Sequence, residues 1–62
     1  MTEYVKTILQ KVSFSKYLFE RELRKGLRII SHTEIQEFKE WCYLMFGNIH
    51  QVILNRYFKP AY

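Results

Sequence analysis

The stretch SHTEIQEFKEWCYLMFG, Ser31 to Gly47, reads as one complete helix with both ends marked. Ser31 and Glu34 stand at capping-box spacing, where each side chain bonds the other's free backbone N–H. Gly47 is suited to the left-handed conformation that stops a helix, and Asn48 after it favours a turn. Between these signals Ile35, Phe38, Cys42, Met45 and Phe46 recur at helical spacing, with Trp41 on one shoulder. The outer face carries Glu37 and Glu40, and Leu44 sits among them as an apolar outlier.

Upstream, a very short break at Ser31 predicts antiparallel or crossed neighbouring helices. The preceding helix is expected from Lys16 to Ile30, with Ser15 as its N-cap and Phe14 clasping Phe19 as a hydrophobic staple. Its core stripe is Phe19, Leu23, Leu27 and Ile30, and Gly26 lies beside that stripe. A glycine in a helix interior costs roughly 1 kcal/mol against alanine, so either another backbone passes close or the helix is locally weak. Thr2 to Val12 reads as a shorter amphipathic helix, with Tyr4, Val5, Ile8, Leu9 and Val12 on one side.

Downstream, Ile49 to Phe58 reads as a last helix, stopped by Pro60. Ile49, Val52, Ile53, Leu54 and Tyr57 make an apolar arc wider than one face, which asks for more than one neighbour. The predicted fold is all-α: about four short helices, the second and third longest. The expected core is Ile8, Leu9, Phe19, Leu23, Leu27, Phe38, Trp41, Cys42, Met45 and Ile53.

Sixty-two residues suit one small domain, from Met1 to Tyr62, whose core yields only a few kcal/mol. The aromatic share of 18% helps, because large rings bury much area per residue. A single cysteine forms no internal disulfide, which favours an intracellular, cytoplasmic chain. No apolar run resembles a signal peptide or a membrane span. The net charge of +4 is unevenly placed. Lys6, Lys11, Lys16, Arg21, Arg24, Lys25 and Arg28 outweigh Glu3, Glu20 and Glu22, whereas the chain from Ser31 onward is balanced.

Candidate chemistry is sparse. His32, Cys42 and His50 are the only soft metal-ligand types, without ligand spacing, so no metal or cofactor is expected. Cys42 lies in an apolar stripe and reads as a packed thiol rather than a nucleophile. Glu37 and Glu40 are helical neighbours but read as a solvated face. There is no glycine-rich phosphate loop, and a domain this small lacks room for a pocket of the usual few hundred Å3. No catalytic residue is assigned and no enzyme is expected.

Arg21, Arg24, Lys25 and Arg28 recur at i, i+3, i+4 and i+7, flanked by Tyr17. Such a stripe suits phosphates or an acidic protein surface, with Glu20 and Glu22 partly answering it. A helix-turn-helix reading fails, because the helix after the Ser31 turn presents acids where phosphates would lie. No strands bearing aromatic residues suggest an RNA reader. A membrane-surface role is not expected, since the fold needs the basic helix's apolar face.

The sequence therefore predicts a non-enzymatic protein-interaction module, an intracellular regulator or adaptor. Its contact residues are Tyr17, Arg21, Arg24, Lys25 and Arg28, with Leu18, Ile29, Leu44 and Tyr57 as a second, apolar set. Self-association as a homodimer is one form of this reading. The alternative is nucleic-acid binding through the same stripe. The basic face of the second helix and the acidic face of the third are complementary, within the fold or between copies.

Overall fold

Four helices form where the apolar periodicity places them. The computed structural model describes residues 2–58. Its elements are α1 (Thr2–Val12), α2 (Lys16–Ile29), α3 (His32–Phe46) and α4 (Gln51–Phe58). At 14 and 15 residues, α2 and α3 are the longest. The described residues contain no strand, so the fold is a small all-α bundle. The stop expected at Pro60 lies outside the described residues.

Helices α1 and α2 form one closely packed hairpin, α3 and α4 a second, and α4 also lies against α2. Ser15 caps α2 as expected: its backbone is extended and its Oγ accepts the Leu18 N–H at 3.3 Å. At the other end Ile30 turns extended, while its N–H still donates to the Gly26 carbonyl at 3.1 Å. The staple does not form. Phe14 is 80% exposed, whereas Phe19 is fully buried.

Gly26 is explained by close approach, but to a side chain rather than a backbone. A Cβ at this position would stand 2.5 Å from Val5 Cγ1 of α1. Glycine lets the two helices cross at that point.

Both end signals of α3 work differently from the expected way. Ser31 is the N-cap, but its side chain makes no capping bond. Its Oγ pairs instead with Thr33 Oγ1 at 3.0 Å. Glu34 reaches across to α1, where Thr2 Oγ1 donates to Glu34 Oε1 at 2.8 Å. A competing local hydroxyl and a tertiary partner replace the capping box. Gly47 stays right-handed, at φ −57° and ψ −31°, and its N–H donates to the Tyr43 carbonyl at 3.0 Å. A Cβ there would collide with that same carbonyl, so glycine serves close packing and not a left-handed turn.

The chain beyond Gly47 keeps turning. The N–H groups of Ile49 and His50 both donate to the Phe46 carbonyl, at 3.1 and 2.8 Å. Helix α4 thus begins at Gln51, two residues later than expected. This turn places His50 inside, while Ile49 and Val52 stay exposed.

The core is Val5, Leu9, Phe19, Leu23, Ile30, Phe38, Cys42, Phe46, Ile53 and Leu54. Of the expected core, Ile8, Leu27 and Trp41 are only half-buried. Met45 is 47% exposed, and its neighbour Phe46 occupies the interior instead. Trp41 leans on Phe38 and Phe46, at ring-centroid distances of 6.0 and 5.5 Å. Its open side lies under the Lys6 ammonium, 5.2 Å from the ring.

Candidate functional site

The basic stripe is where the sequence places it. Tyr17, Arg21, Arg24, Lys25 and Arg28 are all exposed along α2. They stand out because the opposite side of the same helix is pinned by Phe19 and Leu23, both fully buried. The Arg21 guanidinium lies 6.0 Å from the Tyr17 ring, within reach of a weak cation–π contact.

The two acids of α2 have separate tasks. Glu22 answers the stripe, pairing with Arg21 at 3.3 Å and Lys25 at 3.7 Å. Glu20 borders the stripe, sharing a surface cleft with Tyr17, Arg21 and Arg24, but its hydrogen bonds go to α4. It accepts from Arg56 Nη1 at 2.7 Å and from the Tyr57 hydroxyl at 2.8 Å, both on α4. The Tyr57 hydrogen bond, with Arg56 next, holds the Glu20 carboxyl below its ordinary value. The same bond to Glu20 pushes the Tyr57 phenol up. Among the described residues, Arg24 and Arg28 form no ion pair.

The second, apolar set does not act as one surface. Tyr57 is committed to Glu20 inside the fold. Leu18 is half-buried. Ile29 lines a shallow groove of about 200 Å3 between α1 and α2, with Tyr4, Val5 and Ile8, and Glu22 and Lys25 at its rim. Leu44 belongs to α3, 83% exposed on the face that carries Glu37 and Glu40.

Cys42 is fully buried. Burial pushes its thiol up to about 12, and the nearby Lys6 charge offsets this only in part. The thiolate needed for nucleophilic attack is therefore suppressed.

His50 is the residue to which sequence reasoning gave no structural role. It is buried, stacked on Phe19 with ring centroids 4.2 Å apart. Its Nε2 lies 2.7 Å from the Ser13 carbonyl. A carbonyl only accepts, so Nε2 carries a proton and donates it to this bond. Nδ1 is buried without a partner among the described residues. Only a tertiary contact 37 residues away identifies this role, and no local pattern signals it.

His32, by contrast, is exposed. Among the described residues no three His, Cys, Asp or Glu side chains converge as a metal site requires. No helix among them is long and apolar enough to cross a membrane. What α2 offers is a row of fixed positive charges with an aromatic ring at one end, suited to carboxylates or phosphates. Comparison of the chain with protein-family models, curated proteins and solved structures returned no match.

Proposed function

We propose that this chain is a non-enzymatic protein-interaction module, a small intracellular regulator or adaptor, with the α2 stripe as its contact surface and an acidic protein face as partner. The observation that supports this reading is the division of labour between the α2 acids. Glu20 is spent on α4, so Arg24 and Arg28 remain exposed without an ion pair among the described residues. Charges left in this way are available to a partner.

The test compares the wild-type chain with an Arg24→Glu/Arg28→Glu variant as bait in nuclease-treated source lysate. Captured protein should be lost with the variant, whose helical signal should match wild type because both positions are exposed. Capture that survives the double reversal removes the stripe from the interaction. Nucleic-acid binding is the second reading, carried by the same arginines. It requires retention on non-specific nucleic acid that falls steeply with salt. Absence of retention at low salt excludes it.

A further inference from the structure

The outer face of α3 has the same spacing as the stripe on α2. On α2, Tyr17, Arg21, Arg24 and Arg28 follow steps of four, three and four residues. On α3, Thr33, Glu37, Glu40 and Leu44 follow the same steps. All eight are exposed, so each set forms one straight row about 16 Å long on its helix. The two rows do not meet inside the monomer: among the described residues, no ion pair joins α2 to α3.

Laid antiparallel, the rows match position by position. Arg21 meets Glu40 and Arg24 meets Glu37. Tyr17, 72% exposed, meets Leu44, 83% exposed. Arg28 falls at Thr33, with Glu34 one residue away. A parallel arrangement also pairs the charges, but it sets Arg28 on Leu44 and Tyr17 on Thr33. Antiparallel packing covers the two exposed apolar side chains with each other, and it also opposes the helix dipoles. This alignment accounts for Leu44, an apolar residue among acids that the monomer leaves almost fully open.

We infer that a second copy of this chain docks the α3 row Thr33–Glu37–Glu40–Leu44 antiparallel on the α2 row Tyr17–Arg21–Arg24–Arg28. The inference rests on the reading of the α2 stripe as a protein-binding surface, and it names the partner.

Charge reversal tests it directly. An Arg21→Glu/Arg24→Glu chain is acidic on both rows, and a Glu37→Arg/Glu40→Arg chain is basic on both. Sedimentation of wild type across concentration at low salt should show association, weakening as salt rises. Each variant alone should associate at least tenfold more weakly. An equimolar mixture of the two should associate again, because every acidic row then faces a basic one. Circular dichroism confirms that both variants are folded. A Leu44→Ala chain should also associate more weakly, with a helical signal equal to wild type. Three results overturn the proposal: wild type monomeric at every concentration, variants that self-associate like wild type, or a mixture that stays monomeric. If wild type is monomeric while lysate capture still depends on Arg24 and Arg28, self-association fails and the broader protein-binding reading stands.

Discussion

Cys42 shows how one residue's chemistry follows from its place. A thiol in contact with solvent reaches the reactive thiolate near its usual value of 9.0, but burial raises this one to about 12. At pH 8 the thiolate fraction then falls about a thousandfold by the shift alone. Alkylation of the native protein at that pH should be about a hundredfold slower than that of the urea-unfolded chain, or slower still, with transient unfolding of so small a core setting the limit. Comparable rates in the two states would show that the thiol is open. The same shift has a consequence for stability. The folded value is raised, so the buried neutral thiol contributes fully below pH 9.0, and that contribution is lost as the pH rises toward about 12. Tyr57, raised by its bond to Glu20, adds loss in the same alkaline direction. Glu20 acts at the other end: its lowered carboxyl stabilises above the ordinary value of 4.5 and ceases to do so as the pH falls through the folded value.

At the scale of elements, the crossing of α1 and α2 turns on Gly26. Two effects of opposite sign meet there. Alanine would favour the helix by about 1 kcal/mol. Its Cβ, however, would stand 2.5 Å from Val5 Cγ1, a branched side chain stiff about its first torsion. Overpacking of this kind costs roughly 1–3 kcal/mol. Gly26→Ala should therefore destabilise the wild-type chain in urea unfolding, whereas the same change in a Val5→Ala background should stabilise it. A stabilising Gly26→Ala in wild type would mean that Val5 yields without cost. The sequence singled out Gly26, a helix-interior glycine beside a core stripe, but left open whether a close neighbour or a weak helix explained it, because the Val5 contact is tertiary. The four helices were legible, since 3.6-residue periodicity is local. The rotation of each helix was not. Met45 and Phe46 differ by one step around α3, and tertiary packing chooses Phe46. The same choice turns Ile53 and Leu54 inward on α4 and leaves Ile49 and Val52 out. Caps were half legible. Ser15 has no competitor for its amide, whereas Ser31 has Thr33 as neighbour and Glu34 is drawn to Thr2. The stripe on α2 was readable because it lies on one helix, but the commitment of Glu20 depends on Arg56, 36 residues away.

At the scale of the whole molecule, two helical hairpins are held together by a few long-range contacts. Glu20 joins α2 to α4, Thr2 joins α1 to α3, and Phe19 packs edge-on against Phe46 with centroids 4.9 Å apart. His50 is the contact that combines these kinds. Its ring stacks on Phe19 of the first hairpin, and its Nε2–H donates to the Ser13 carbonyl in the turn between α1 and α2. It also lies beside Phe46, with centroids 6.2 Å apart, so one imidazole touches both hairpins and the turn of each. Removing the ring empties a buried site and leaves the Ser13 carbonyl without this donor. Together these cost about 3 kcal/mol. A core of this size supplies only about 3–5 kcal/mol in total. His50→Ala should therefore lose most of its helical circular dichroism at room temperature, or unfold at a much lower urea midpoint. His32→Ala, at the exposed histidine, should change stability by less than about 0.5 kcal/mol. Equal behaviour of the two variants would show that the hairpins hold without His50, and that the Phe19–Phe46 contact and the Glu20 tie suffice.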